Sequence, residues 1–248
     1  MEGRMIVNML KDISWIDELE PHNKKLLEIH DKFGDLGWWF TPSRINQQPL
    51  SRMYPEIDEV ICNRPEYKLM FNHGNYLSLF LIGKLYKNRK DVLIEDVGAG
   101  NGNLIYYLSK LGFRNFNTFD NWCECPKELF DEMTEGISCI VNDLNINPMI
   151  VNNVSAPRIA FLTIGLDPDG IYKEYDVETG KYWGVKRDLS NMELITFYTN
   201  PRFDDVADKI LTPQGYSFLC RDTDDMSAAW CRNDKLKEFS EKLLEWKV

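Results

Sequence analysis

A chain of 248 residues holds one domain with room for an appendage, and seven tryptophans within a 44% apolar composition supply a folded core. The formal net charge of -10 argues against a protein living on nucleic-acid backbones, which demand basic surface, while leaving room for a local basic patch. No run nears the roughly 18 apolar residues of a membrane helix, and the opening residues lack a signal peptide's apolar centre, so a soluble, cytoplasmic protein is expected.

Residues 1–90 read as a helical and irregular N-terminal extension covering the site. Ile13 to Leu19 has the pattern of a short helix. Pro21 suits the first turn of another, with Leu26, Ile29 and Phe33 on one face and Gly34 as its stop. His22 and His30 fall here without an assigned role. Residues 35–65 show no steady period; Gly37-Trp38-Trp39-Phe40-Thr41-Pro42 sets three aromatics in a row, which either pack or line a pocket. Tyr67 to Lys87 reads as a helix, apolar almost all round from Tyr76 to Tyr86 and therefore buried. His73 lies just ahead of that apolar part, with an ordinary surface or interface histidine as the plain alternative.

The core begins at Asp91. Val92-Leu93-Ile94-Glu95-Asp96-Val97 is an apolar run ending in acids, and Gly98-Ala99-Gly100-Asn101-Gly102 follows with glycine at every second position. Asn103 to Leu111 then has a helical pattern, closed by Gly112. A buried strand, a glycine turn and a helix form a unit that binds an adenosine-containing cofactor at the strand's carboxyl end. A dinucleotide loop wants Gly-x-Gly-x-x-Gly, whereas here the third glycine comes one residue early. A carboxylate at Asp96 would also repel a pyrophosphate at the helix N-terminus, and suits a ligand carrying an amino cation. A glycine-rich turn without a ligand is the bland alternative.

Phe116 to Asp120 is a second strand ending in an acid. Asp120 lies 18 positions after Gly102, close to the ~20-residue offset at which an acid meets ribose hydroxyls. Asn121 and Trp122 follow and would flank the adenosine. Cys123-Glu124-Cys125 is the single close pair among six cysteines, with the wrong spacing for a zinc knuckle, so no metal is expected and the thiols are read as reduced. Glu128 to Met133 reads as helix, Ile137 to Leu144 as a third strand, and Arg158 to Leu166 as a fourth. Strands with such crossovers make a parallel α/β sheet.

After strand four, Asp167-Pro168-Asp169-Gly170 reads as a turn. Tyr172 to Val185 reads as a hairpin turning at Glu178-Thr179-Gly180-Lys181, an insertion at about 170–190 near the mouth of the site. Glu193 to Thr199 fits a fifth strand and Phe203 to Leu211 a helix. Tyr216 to Cys220 and Ser227 to Cys231 form a final hairpin with one strand antiparallel. The terminal helix, Asp234 to Trp246, carries Leu236, Phe239, Leu243 and Trp246 on one face.

Asp96-x-Gly98-x-Gly100-x-Gly102, with Asp120 and Asp143 at the next two strand ends, resembles class I S-adenosylmethionine-dependent methyltransferases over residues 90–232. The resemblance implies a three-layer, Rossmann-like α/β sheet, mostly parallel with the last strand antiparallel, spanning residues 91–248. It implies S-adenosylmethionine as cofactor, held by Asp96, Gly98, Ala99, Gly100, Gly102, Asp120, Asn121, Trp122, Asp143 and Leu144. Asp96 would face the ammonium end, Asp120 the ribose diol, and Asp143 or Leu144 the adenine amino group. The Asp167-Pro168 turn matches only the first two positions of the Asn/Asp-Pro-Pro-aromatic pattern of amino-group methyltransferases. The implied activity is methyl transfer to a small-molecule or protein acceptor, with Asp167, His73 and Tyr67 as unranked candidates for a base.

Three alternatives stand beside it. An RNA 2′-hydroxyl methyltransferase is echoed in Arg64-Pro65-Glu66-Tyr67-Lys68 and Asp167, but its second lysine has no counterpart beyond Arg221, and the acidic balance weighs against it. A cofactor-binding partner or sensor without catalysis fits the departure after strand four. An NAD-dependent oxidoreductase is more distant on glycine spacing. Association with a partner protein or a second copy is left open.

Overall fold

Alternation in the core strands sorts side chains onto two faces, and each face finds its own helical cover. The computed structural model describes residues 4–11, 14, 18–22, 28, 32, 75–120, 122, 127–143, 158–162, 171–176, 181–186, 192–198, 204–222 and 227–248. Its strands are β1 (Ile6–Val7), β2 (Leu93–Val97), β3 (Asn115–Asp120), β4 (Cys139–Asp143), β5 (Arg158–Leu162), β6 (Ile171–Asp176), β7 (Lys181–Lys186), β8 (Met192–Tyr198), β9 (Tyr216–Asp222) and β10 (Ser227–Arg232). Its α-helices are α1 (Asn75–Leu85), α2 (Asn103–Lys110), α3 (Lys127–Met133), α4 (Asp204–Leu211) and α5 (Leu236–Leu243).

Eight strands form one sheet in the order β1-β9-β10-β8-β5-β2-β3-β4. β10 is antiparallel to both neighbours, and every other pairing in that sheet is parallel. Within that sheet, among the described residues, β10 is therefore the one reversed strand, as expected of the last strand. β6 and β7 pair only with each other, as the expected hairpin. Their closing pair is Asp176 with Lys181, so the connection spans 177–180, one residue earlier than the sequence pattern suggested.

On one face Ile94 and Phe116 pack with Leu104, Ile105 and Leu108 of α2, Leu129 and Met133 of α3, and the buried row from Leu77 to Ile82 of α1. On the other face Val97, Phe119, Met192 and Ile195 pack with Ala207 and Leu211 of α4. A bulge in β8, where Arg158 pairs with Met192 but Ile159 with Leu194, puts Met192 and Leu194 on different faces despite their even spacing. Trp230 is fully buried, and its indole N–H donates to Asp208 Oδ1 at 2.8 Å, so the largest core side chain leaves no polar atom wanting. α2 stops as its sequence dictates: Gly112 takes φ 90°, and Phe113 N–H closes back on Leu108 O at 3.1 Å.

β1 was not legible in the sequence. Ile6 and Val7 pair with Arg221 and Asp222, while Asn8 N–H donates to Trp246 O (2.8 Å) and Val248 N–H to Ile6 O (3.0 Å). The two ends of the chain thus close one edge of the sheet together. The expected helices around residues 13–19 and 21–33, and the aromatic run at 38–40, lie wholly or largely outside the described residues.

Candidate functional site

The site is built where β2 gives way to α2. Gly98 N–H and Ala99 N–H both donate to Phe119 O, at 2.8 and 3.2 Å, so the chain leaving β2 leans across the carboxyl end of β3. Gly102 N–H then donates to Ala99 O (2.9 Å), and Gly102 O receives Tyr106 N–H (2.9 Å) as the first bond of α2. Asn101 Oδ1 accepts Asn103 N–H at 2.9 Å, taking up one of the amides that a helix start leaves without a carbonyl.

Two of the glycines are required for different reasons. Gly102 has φ 80°, and a Cβ there would sit 2.9 Å from Thr134 Cγ2 and 3.1 Å from Phe130 Cδ2. It lets the turn lie directly on α3. Gly100 has φ 52° with nothing within 4 Å of a Cβ position, so the backbone there faces open space. A left-handed residue with a bare outer face is the form in which main chain comes close to a ligand.

Asp96, Asp120 and Asp143 fall at or near the ends of three adjacent strands. The register pairs Asp96 with Thr118 and Asp120 with Asp143. Alternation therefore places all three carboxylates on the face that carries Ile94, Phe116 and α2. Asp120 is 8% exposed, and both its oxygens are engaged: Oδ2 accepts Gly100 N–H and Oδ1 accepts Trp122 N–H, each at 2.7 Å. Asp120 thus clamps the glycine turn as well as standing where a ribose acid is expected, a double task the sequence did not reveal.

Asp96 is buried, and its Oδ1 has no hydrogen-bond partner among the described residues. Burial, and then the nearby charge of Asp120, pushes its carboxyl up to about 8. A carboxyl so placed holds its proton until a cation arrives beside it. Trp122 adopts φ 59°, unusual for a bulky residue, and tilts against Phe130 with ring centroids 5.1 Å apart. Its Nε1 is buried without a partner among the described residues. A buried acceptor and a buried donor left open beside a bare glycine turn fit a polar ligand carrying both an amino cation and acceptor atoms.

Ala99 is buried under the turn and Asp143 is half-buried at the end of β4. Asn121, Leu144 and the candidate bases Asp167, His73 and Tyr67 lie outside the described residues, as do Cys123 and Cys125. Cys220 and Cys231 are core thiols whose ionisation burial pushes upward, for Cys231 to about 12, so neither has a nucleophile's surroundings. Among the described residues no group of His, Cys, Asp and Glu side chains has a metal-holding arrangement. No helix among them is long and apolar enough to cross a membrane. Phe130 and Thr134 went unnoticed in the sequence; the signal was Gly102 itself, since a glycine ending such a turn asks for a close neighbour.

No protein-family model matches the chain, and no curated protein does. Among solved structures it is similar to magnesium protoporphyrin IX methyltransferase from Synechocystis PCC 6803 with bound S-adenosylmethionine, at 14% identity and TM-score 0.43, covering 84% of this chain and 97% of that one. It is similar to a ribosomal protein L11 methylase from Lactobacillus delbrueckii subsp. bulgaricus, at 16% identity and TM-score 0.38, covering 64% and 80% respectively. A 23S rRNA methyltransferase stands at 12% identity and TM-score 0.36, with 66% and 74% covered. Counted from the strand that carries the glycine turn, and leaving β1 and the hairpin aside, the sheet order is 3-2-1-4-5-7-6 with the seventh strand reversed. The described sheet is Rossmann-like, mostly parallel with its last strand reversed.

Proposed function

We propose that this chain binds S-adenosylmethionine at the glycine turn and catalyses transfer of its methyl group to a small-molecule or protein acceptor. The observation that carries the proposal is the buried, unpartnered oxygen of Asp96 behind a turn whose outer face is bare. An uncompensated buried carboxyl is costly, and an ammonium group is its natural complement. The same group disfavours a pyrophosphate, which separates this cofactor from NAD.

Asp96 would hold the amino end of the cofactor. Gly98, Gly100 and Gly102 would let the backbone approach it, and Ala99 fills the space beneath. Asp120, already fixed by Gly100 and Trp122 N–H groups, would take the ribose hydroxyls, and a pre-oriented acceptor loses little freedom on binding. Asp143 would face the adenine amine and Trp122 would lie along the nucleoside, with Asn121 and Leu144 next to them in sequence. When bound, the cofactor supplies an electrophilic methyl on a sulfonium, so the protein's task is alignment of an acceptor in line with it. A base is needed only for an acceptor that must lose a proton, and Asp167, His73 and Tyr67 are the residues to test for that role. The net charge of -10 favours a metabolite or protein acceptor over RNA.

Calorimetry with S-adenosylmethionine, S-adenosylhomocysteine and NAD, on wild type and Asp120→Ala, tests the cofactor. Binding of both sulfur compounds, weakened in the variant, supports it; tight NAD binding with no response to either would overturn it. A methyl-transfer screen over metabolite, protein and RNA pools then tests the acceptor. Binding without turnover on any pool would identify a non-catalytic binding protein instead.

A further inference from the structure

A row of polar side chains, buried at Glu95 and Asn117 and half-buried at Asn142, crosses the opposite face of the sheet from the acids. Glu95 on β2 pairs in register with Asn117 on β3, and Asn117 lies diagonally from Asn142 on β4. Asn117 Nδ2 donates to Glu95 Oε1 at 3.4 Å. Asn142 Nδ2 donates to Asn117 Oδ1 at 2.7 Å and to Thr118 O at 2.9 Å. Glu95 is fully buried and Asn117 is 4% exposed.

The chain has one chemically consistent direction. Asn117 turns its NH2 toward the Glu95 carboxyl oxygen and its own carbonyl oxygen toward β4. That oxygen can be met only by a donor, which fixes the amide of Asn142. Both hydrogens of Asn142 Nδ2 are then spent, one on a side chain and one on the backbone of β3. A flip of Asn117 would set oxygen against carboxylate and NH2 against NH2.

The placement matters because β4 is the sheet's edge strand. Among the described residues it pairs only with β3, and its Ile140 and Val141 are 64% and 36% exposed. Asn142 is the residue before Asp143, and the two point to opposite faces. We infer that the Glu95–Asn117–Asn142 relay positions Asp143 beside Asp120, and so sets the protein's preference for adenine over a base with a carbonyl in place of the 6-amino group. This deepens the cofactor assignment above and rests on it. Asn142 and Asn117 act through Asp143 and touch no ligand: they are positioning residues.

The test is calorimetry with S-adenosylhomocysteine and S-inosylhomocysteine, in which a carbonyl oxygen replaces the amine. Wild type should prefer the adenine compound by about tenfold or more, the order expected for one hydrogen bond to a charged acceptor. Asn142→Ala, on the edge strand, should reduce that preference to about twofold, chiefly by weakening the adenine compound. Asn117→Ala should give the same pattern if it folds; if it does not, Asn142→Ala alone decides. A merely structural role would weaken both compounds by the same factor, and that result, or an undiminished preference, would overturn the inference, as would a wild type that does not discriminate. Failure of wild type to bind either compound would instead remove the cofactor assignment itself.

Discussion

Replacing Asp96 with Asn separates the folding cost of the site from its ligand affinity. In the fold the Asp96 carboxyl holds its proton up to about 8, against an ordinary value of 3.8. Between those values the folded protein binds more protons at this group than the unfolded chain, so its contribution to stability falls as pH rises. The slope is about 1.4 kcal/mol per pH unit, which accumulates to on the order of 4 kcal/mol between pH 5 and pH 8. Asp96→Asn removes that slope while keeping the shape. Denaturant unfolding of both proteins at each pH unit should show the variant gaining on wild type by about that amount across the window, or about 10 °C in midpoint for a chain of this size. Other titrating groups are common to both proteins and cancel in the difference. Ligand binding should move the other way. An ammonium needs the ionised carboxylate, so wild-type affinity for S-adenosylhomocysteine should rise by up to about tenfold per pH unit below pH 8, while the variant binds weakly with a flat profile. Parallel stability curves for the two proteins from pH 5 to pH 8 would refute the reasoning, because Asp96 would then not be a proton-holding buried carboxyl.

Two further substitutions test the supports of the site. Gly102→Ala combines a left-handed backbone with a Cβ placed 2.9 Å from Thr134, and should cost about 1–3 kcal/mol in denaturant unfolding; an unchanged midpoint would show that the turn does not lie on α3 as described. Arg89 donates to both oxygens of Glu193, at 2.9 and 3.4 Å, with Glu193 6% and Arg89 38% exposed. Arg89→Ala should cost about 1–3 kcal/mol, less than breaking a fully buried pair because Arg89 is partly in water, and should leave S-adenosylhomocysteine affinity unchanged; a matching loss of affinity would show that this ion pair reaches the site.

Sequence alone determined the elements whose physics is local. The glycine spacing, the apolar run before it and the acid at Asp120 specify a strand, a left-handed turn and a helix, because φ restrictions and hydrophobic period act over a few residues. The order of strands along the chain, the hairpin at β6 and β7 and the reversal of β10 were legible for the same reason. What only the tertiary structure decided depends on partners far away in sequence. β1 exists because Arg221, Asp222 and the final residues pair their backbone with Ile6 and Val7, and two residues carry no pattern of their own. The second task of Asp120 appeared only when the turn brought Gly100 N–H within 2.7 Å of it. The state of Asp96 follows from how completely the surrounding elements exclude water, which no spacing of letters encodes. The Glu95–Asn117–Asn142 relay looks in sequence like three unrelated polar residues, and parallel pairing alone sets them side by side. The glycine turn thus announces what kind of ligand to test, and the packing around Asp96 and the register of three strands decide the surroundings it would meet.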